Sequence, residues 1–414
     1  MAKKILAIAL IAIVAVSAAA CFAACEEEPT PYADLVAVRV NNFMAEWENI
    51  DYNFTYEGSS ALKVSVPYTN YLEVNDLIVS PGAEYKVYED EGKTKQLTDL
   101  SKIYVDGAKT LYIDVTNGEL SNSYSVDVTV EQTNLPPESE IADKQYDNRG
   151  GHIYIPEGAE TVMIDDVEYK VIRDSYEANY NNEDVILAND IHVNITEEEA
   201  EHEASRDFFG IFNGNGYAVF MYCYSESMFN DLGHTALIKN VIFKLDQYQS
   251  VANFRQYAQA ICRTNYGVIE NVVTDINLSE HNRYIDEPAR YGFFAAENYG
   301  TIENCMNKGN IVSQFNNLES LTASIVTCQF GELINCVNTG IIQNEFPEKG
   351  SNGIGAIAYL AIEDAVFKGV FNVGEVTHTR MPDELFDEKL NGMIFSVNDD
   401  YPVLDSARNY TLGR

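Results

Sequence analysis

The stretch Val268-Ile269-Glu270-Asn271-Val272 has three counterparts: Leu237-Ile238-Lys239-Asn240-Val241, Thr301-Ile302-Glu303-Asn304-Cys305 and Glu332-Leu333-Ile334-Asn335-Cys336. In chain order they are spaced by 31, 33 and 31 residues. A fifth, degraded copy follows, because Asn372-Val373-Gly374-Glu375-Val376 lies 34 residues after Asn338-Thr339-Gly340-Ile341-Ile342, itself 31 after Asn307-Lys308-Gly309-Asn310-Ile311. An aromatic-glycine turn introduces three copies: Asn265-Tyr266-Gly267, Asn298-Tyr299-Gly300 and Gln329-Phe330-Gly331. Such a period means stacked coils, none of which can bury its apolar face alone. Each copy holds short apolar runs bounded by Gly and Asn and no 3.6-residue stripe, so the coil is β.

The recurring asparagine has a physical reason. If Asn240, Asn271, Asn304 and Asn335 occupy one corner of successive coils, they stack at the strand separation of about 4.8 Å, and each side-chain amide can bond the next. Asparagine also tolerates the left-handed backbone of a sharp corner, a freedom that Gly309, Gly340 and Gly374 share. Cys305 and Cys336 then sit one rung apart, as buried apolar thiols rather than a disulfide.

Val185-Ile186-Leu187-Ala188-Asn189-Asp190-Ile191, Phe209-Gly210-Ile211-Phe212-Asn213-Gly214-Asn215-Gly216-Tyr217 and Ala236-Leu237-Ile238-Lys239-Asn240-Val241 follow in an order that resembles GLUG-motif proteins of bacterial surfaces. The resemblance runs from about Tyr169 to Val376 and departs at the acidic insertion Thr196–Glu203. It implies a right-handed parallel β-helix, display outside the cell and, in most members, no assigned catalysis.

Upstream, Asn134-Leu135-Pro136-Pro137-Glu138-Ser139-Glu140 reads as a linker, since two prolines among polar residues favour extended chain. Before it, Lys63–Val66, Lys86–Tyr88, Leu111–Val115 and Tyr124–Val130 alternate apolar with polar residues, and Pro81-Gly82, Glu91-Gly92-Lys93, Asp106-Gly107 and Asn117-Gly118 punctuate them. That rhythm predicts an antiparallel β-sandwich serving as a spacer. It resembles cadherin-like or immunoglobulin-like modules in Val66-Pro67-Tyr68 and the closing strand Tyr124–Val130. The expected organisation is a signal and lipidated cysteine (1–25), a tether (26–32), the sandwich (33–133), the linker (134–145), the β-helix (146–380) and a terminal cap (381–414), all-β throughout.

Lys3 and Lys4 precede an apolar run from Ile5 to Val16, and small residues then lead to two lipobox-like ends, Ala18-Ala19-Ala20-Cys21 and Phe22-Ala23-Ala24-Cys25. Cys25 is the preferred lipidation site and Cys21 the alternative, because Glu26-Glu27-Glu28-Pro29 after Cys25 reads as a solvated tether. The expected partner is therefore a bacterial membrane, reached through a lipid anchor on its outer face. A net charge of −37 excludes electrostatic tracking of nucleic acid. Cys223, Cys262, Cys305, Cys328 and Cys336 show no Cys-x-x-Cys spacing, so neither a disulfide framework nor a metal site is expected.

No P-loop, nucleophile elbow or His-Glu-x-x-His occurs, and neither cofactor nor catalytic residue is expected. Gly233-His234 is a faint echo of polygalacturonase-like enzymes, without their other elements. The run Glu197–Glu203 reads as a solvated face. Tyr222 and Tyr224 share one side of a strand and are the candidates for stacking on a ligand. The functional expectation is a surface-anchored, non-catalytic protein for adhesion to extracellular glycan or protein; the alternatives are a polysaccharide-degrading enzyme and a passive stalk.

Overall fold

The computed structural model describes residues 32–48, 60–174, 182–195, 206–223, 227–245, 257–258, 260–280, 289–314, 320–345, 353–361, 365–378 and 407–409. The chain is all-β, and its carboxy-terminal part is a β-solenoid of about 4 turns.

Each coil contributes a short strand before the corner asparagine and another after it. Leu237, Val268, Thr301, Glu332 and Val366 stack in parallel register before the corner. Beyond it, Val273, Met306, Val337 and Phe371 do the same. Three further parallel sheets close the coil, one running from Phe229–Leu232 through Cys262–Asn265, Ala295–Asn298 and Val326–Gln329 to Ala358–Ala361. Ile238, Ile269, Ile302 and Leu333 form one fully buried column, and Val241, Val272, Cys305 and Cys336 another. Burying each such aliphatic side chain stabilises by roughly 1.5–3 kcal/mol, but only once a neighbouring coil covers it. Cys305 and Cys336 are free thiols. Of the segment 381–414, the described part is Ala407–Asn409, which pairs parallel with Val370–Asn372 and adds one more strand to the sheet.

The corner geometry follows from residue type. Asn240, Asn271, Asn304 and Asn335 have φ between 49° and 54°, left-handed values that asparagine tolerates far better than a branched residue. The next coil places Gly369 there, with φ 58°.

The amino-terminal region holds a three-stranded sheet (Phe43–Met44, Leu35–Val40, Val74–Val79) and a six-stranded one, and both feed one core. Leu35, Val38 and Val40 from the first meet Leu62, Val64, Leu111, Ile113, Val126 and Val128 from the second. The alternating runs read from sequence all fall within strands. One pairing departs from the antiparallel expectation: Ala61–Val66 runs parallel to Leu120–Val130, with Ser125 opposite Ala61. A tight hairpin turn forces antiparallel neighbours, but these two strands are not consecutive: several other strands lie between Val66 and Leu120 in the chain, so no hairpin fixes their relative direction.

Leu35–Val40 is buried along its whole length. Leu35, Val38 and Val40 enter the region's own core, while Val36 and Ala37 pack with Met44 against Val273, Met306, Val337 and Phe371 of the solenoid. The expected linker is a short helix, Glu138–Ile141, followed by a helical turn, and the chain beyond it is pinned. Tyr146 and Asn148 hydrogen-bond Asn70 and Thr69. At Gly151, φ 70°, an added Cβ would lie 2.0 Å from the carbonyl oxygen of Asn41, so only glycine lets the two segments pass this closely.

Candidate functional site

Strand alternation fixes which side chains the pre-corner strands show to the outside. Since Ile238, Ile269, Ile302 and Leu333 point inward, Lys239, Glu270, Glu303 and Ile334 follow on the outward face. This narrow face has an aromatic ridge at its start and a cleft at its end.

The ridge comes from the aromatic-glycine turns. Tyr266 and Tyr299 stack at 5.1 Å between ring centroids, and Tyr299 and Phe330 at 4.5 Å with planes 5° apart. The rung spacing of about 4.8 Å sets these distances, so the solenoid itself holds the rings parallel. His234 leans on the first ring at 5.4 Å. Tyr266 remains 37% and Tyr299 44% exposed. Their faces cover each other, so solvent meets ring edges and the tyrosine hydroxyls.

At the other end of the face, the amino-terminal region docks on the corner asparagines. The Met44 amide donates to Asn271 Oδ1 at 2.9 Å, Asn335 Nδ2 donates to the Ala45 carbonyl at 3.0 Å, and Asn304 Nδ2 donates to Glu46 Oε1 at 3.1 Å. Amide-to-amide bonds join Asn271 to Asn240 at 3.0 Å and Asn335 to Asn304 at 2.8 Å. Between Asn271 and Asn304 the amides turn instead to the segment Met44-Ala45-Glu46. The docking is also ionic, with Asp76 holding Arg39 at 2.7 Å and Lys308 at 2.5 Å.

The junction leaves a cleft of about 430 Å³ between the strands around Lys63 and Glu131 and the solenoid face at Lys239 and Glu270, with Phe43 on its wall. Burial holds the neighbouring Glu303 carboxyl above its ordinary pKa, helped by the negative charges of Glu270, Glu46 and Glu332. A carboxyl so placed keeps its proton more readily and can donate a hydrogen bond.

The sequence candidates distribute unevenly around this site. Of the corner asparagines, Asn240, Asn271 and Asn304 line the cleft, and Asn335 lies beyond it. Tyr222 lies in the strand Ala218–Cys223, opposite Asn194. Tyr224, the acidic run Glu197–Glu203, Cys21 and Cys25 lie outside the described residues. His234 is an exposed turn residue at the ridge. Among the described residues, no three His, Cys, Asp or Glu side chains converge as a metal site. In the sequence the aromatic-glycine turns introduce three copies of the repeat, and that identical place is the signal for a stack, which the choice of Tyr222 and Tyr224 as ligand candidates passed over. Compared with models of protein families, with curated proteins and with solved structures, the chain matches none.

Proposed function

We propose that this is a non-catalytic binding protein held on the outside of a bacterial cell by a lipid on Cys25, or alternatively on Cys21. Its amino-terminal β-sandwich and GLUG-type right-handed β-helix form one stiff body that presents the ridge to a glycan or protein surface. The observation that carries this reading is the stack of Tyr266, Tyr299 and Phe330, exposed at its two tyrosines. Rings fixed by the rung spacing lose little conformational freedom when a partner covers them, which favours binding. The test is retention on glycan arrays and immobilised extracellular proteins. The triple change Tyr266→Ser, Tyr299→Ser, Phe330→Ser should reduce retention at least tenfold while circular dichroism stays unchanged. Equal retention by the folded triple variant would overturn the reading, and retention by neither protein would favour a stalk. Anchoring is checked separately: labelled fatty acid should be lost from Cys25→Ala and kept by Cys21→Ala.

A second reading has one observation in its favour. Glu270 and Glu303 stand opposite each other on adjacent strands, and burial together with the charge of Glu270 raises the pKa of Glu303, the pattern of an acid beside a carboxylate. New reducing ends released from polysaccharide by the wild type, and not by Glu303→Gln, would establish hydrolysis.

A further inference from the structure

The cleft at the junction differs in chemistry from the ridge. Lys239 and Glu270 face each other on adjacent parallel strands, as Lys63 and Glu46 do on an antiparallel pair. Strands lie about 4.8 Å apart, within easy reach of an ion pair. Yet neither Lys63 nor Lys239 closes an ion pair or makes a side-chain hydrogen bond among the described residues. Two ammonium groups, which only donate, therefore line the same cleft as the carboxylates of Glu270 and Glu131, which only accept when ionised. Phe43 supplies an apolar part of the wall, while the side chain of Met44 is taken up by the core shared with the solenoid.

We propose that this cleft is a separate binding site for one or two units of a neutral saccharide. A sugar hydroxyl both donates and accepts, so neighbouring hydroxyls on one ring can accept a hydrogen bond from Lys239 and donate one to Glu270, while the C–H face of the ring lies against Phe43. The volume of about 430 Å³ falls within the range of small-ligand sites, roughly 300–1,000 Å³. Charge selects against an acidic sugar. Glu46, Glu131 and Glu270 outnumber Lys63 and Lys239 in the lining, and the whole chain carries −37, so a uronate would enter against the field. The site belongs to neither region alone, since Lys63 and Phe43 come from one and Lys239 and Glu270 from the other. It does not depend on the ridge, because it uses other residues and a soluble ligand.

The experiment is calorimetric titration of the chain from Glu26 onward with cellobiose, maltose, lactose, N,N′-diacetylchitobiose and digalacturonate. At least one neutral disaccharide should bind and digalacturonate should not. Glu270→Gln keeps the side chain's shape and Lys239→Met keeps its length, and each should weaken that binding tenfold or more at an unchanged melting temperature. Binding of none of the neutral sugars, stronger binding of digalacturonate, or undiminished binding in both folded variants would overturn the assignment.

Discussion

Of the amide ladders that run along this solenoid, two do different work. The interior one passes from Thr274 through Asn307 and Asn338 to Asn372, with bonds of 2.9, 2.7 and 2.6 Å, and Asn372 Nδ2 closes on the Gly374 carbonyl at 2.9 Å. It is buried and self-contained. The corner ladder of Asn240, Asn271, Asn304 and Asn335 stacks with the same period, but half of its capacity goes to the amino-terminal region. The same residue type, at the same spacing, holds coils together when sealed inside and receives another sheet when it meets the surface. Only the first role follows from the repeat alone.

The largest effect is expected where docking depends on charge. Asp76 joins Arg39, which is 3% exposed, to Lys308 of the solenoid. Burial lowers the pKa of Arg39 and Asp76 opposes that shift, so the guanidinium relies on this carboxylate. Asp76→Ala should destabilise by about 3–5 kcal/mol, the range for leaving one partner of a buried pair uncompensated. Denaturant unfolding measures it, and a loss under about 1 kcal/mol would mean that water already satisfies Arg39 and that the regions adhere through apolar contact alone.

Breaking the interior ladder should cost somewhat less. Asn338→Ala removes the bonds to Asn307 and Asn372 and those made locally with Gly340, so buried polar groups of three neighbours each lose a bond. About 2–4 kcal/mol is expected, as unpaired buried groups cost roughly 1–3 kcal/mol each and partly relax. A loss no larger than that of Asn271→Ala, whose amide borders the open cleft, would erase the distinction between the two ladders.

The solenoid was legible because its information is repeated. Every coil restates the apolar positions, the corner asparagine and the glycine. Docking is written once and without a period, in places that sequence patterns mark only weakly. Leu35-Val36-Ala37-Val38-Arg39-Val40 lacks the alternation of a strand with one wet face, which signals burial on both faces. The two apolar residues after each corner asparagine, such as Val272-Val273 and Cys305-Met306, carry the matching signal on the solenoid. Neither tells which surface meets which, so the cleft between them could not be read from sequence. The ridge could have been, since Tyr266, Tyr299 and Phe330 share one place in the repeat.

The junction should also respond to pH. His152 stacks on Tyr217 at 4.0 Å, and its Nδ1 lies 2.6 Å from the Asn215 carbonyl, tying the chain after the linker to the first coils. Burial lowers its pKa below the ordinary 6.5, and the bond to the carbonyl only partly offsets this. The unfolded chain therefore takes up the proton first. The contribution of a neutral His152 is complete above pH 6.5 and is lost as pH falls through the lower folded value. Between pH 7 and pH 5 the wild type should therefore lose more stability than His152→Gln. Parallel stability curves for the two proteins would exclude His152 as the sensor.

The smallest expected effect is a gain, and it tests whether the corner ladder is limited by its own last rung. Asn335 Oδ1 is buried without a hydrogen-bond partner, and the place above it belongs to Gly369, which has no side chain to donate. The backbone is already suited to a replacement, because Gly369 has φ 58°, close to the 49–54° of the corner asparagines. Gly369→Asn should therefore extend the ladder by one bond and reduce the conformational freedom of the unfolded chain, together worth about 0.5–1.5 kcal/mol. A raised melting temperature for this variant, absent when Asn335→Ala is added, would show that the bond forms. The sealed ladder needs no such repair, since Asn372 already closes it. If Gly369→Asn destabilises, the fifth coil departs from the repeat to make room at that corner, and its glycine belongs to the docked surface rather than to a decayed copy.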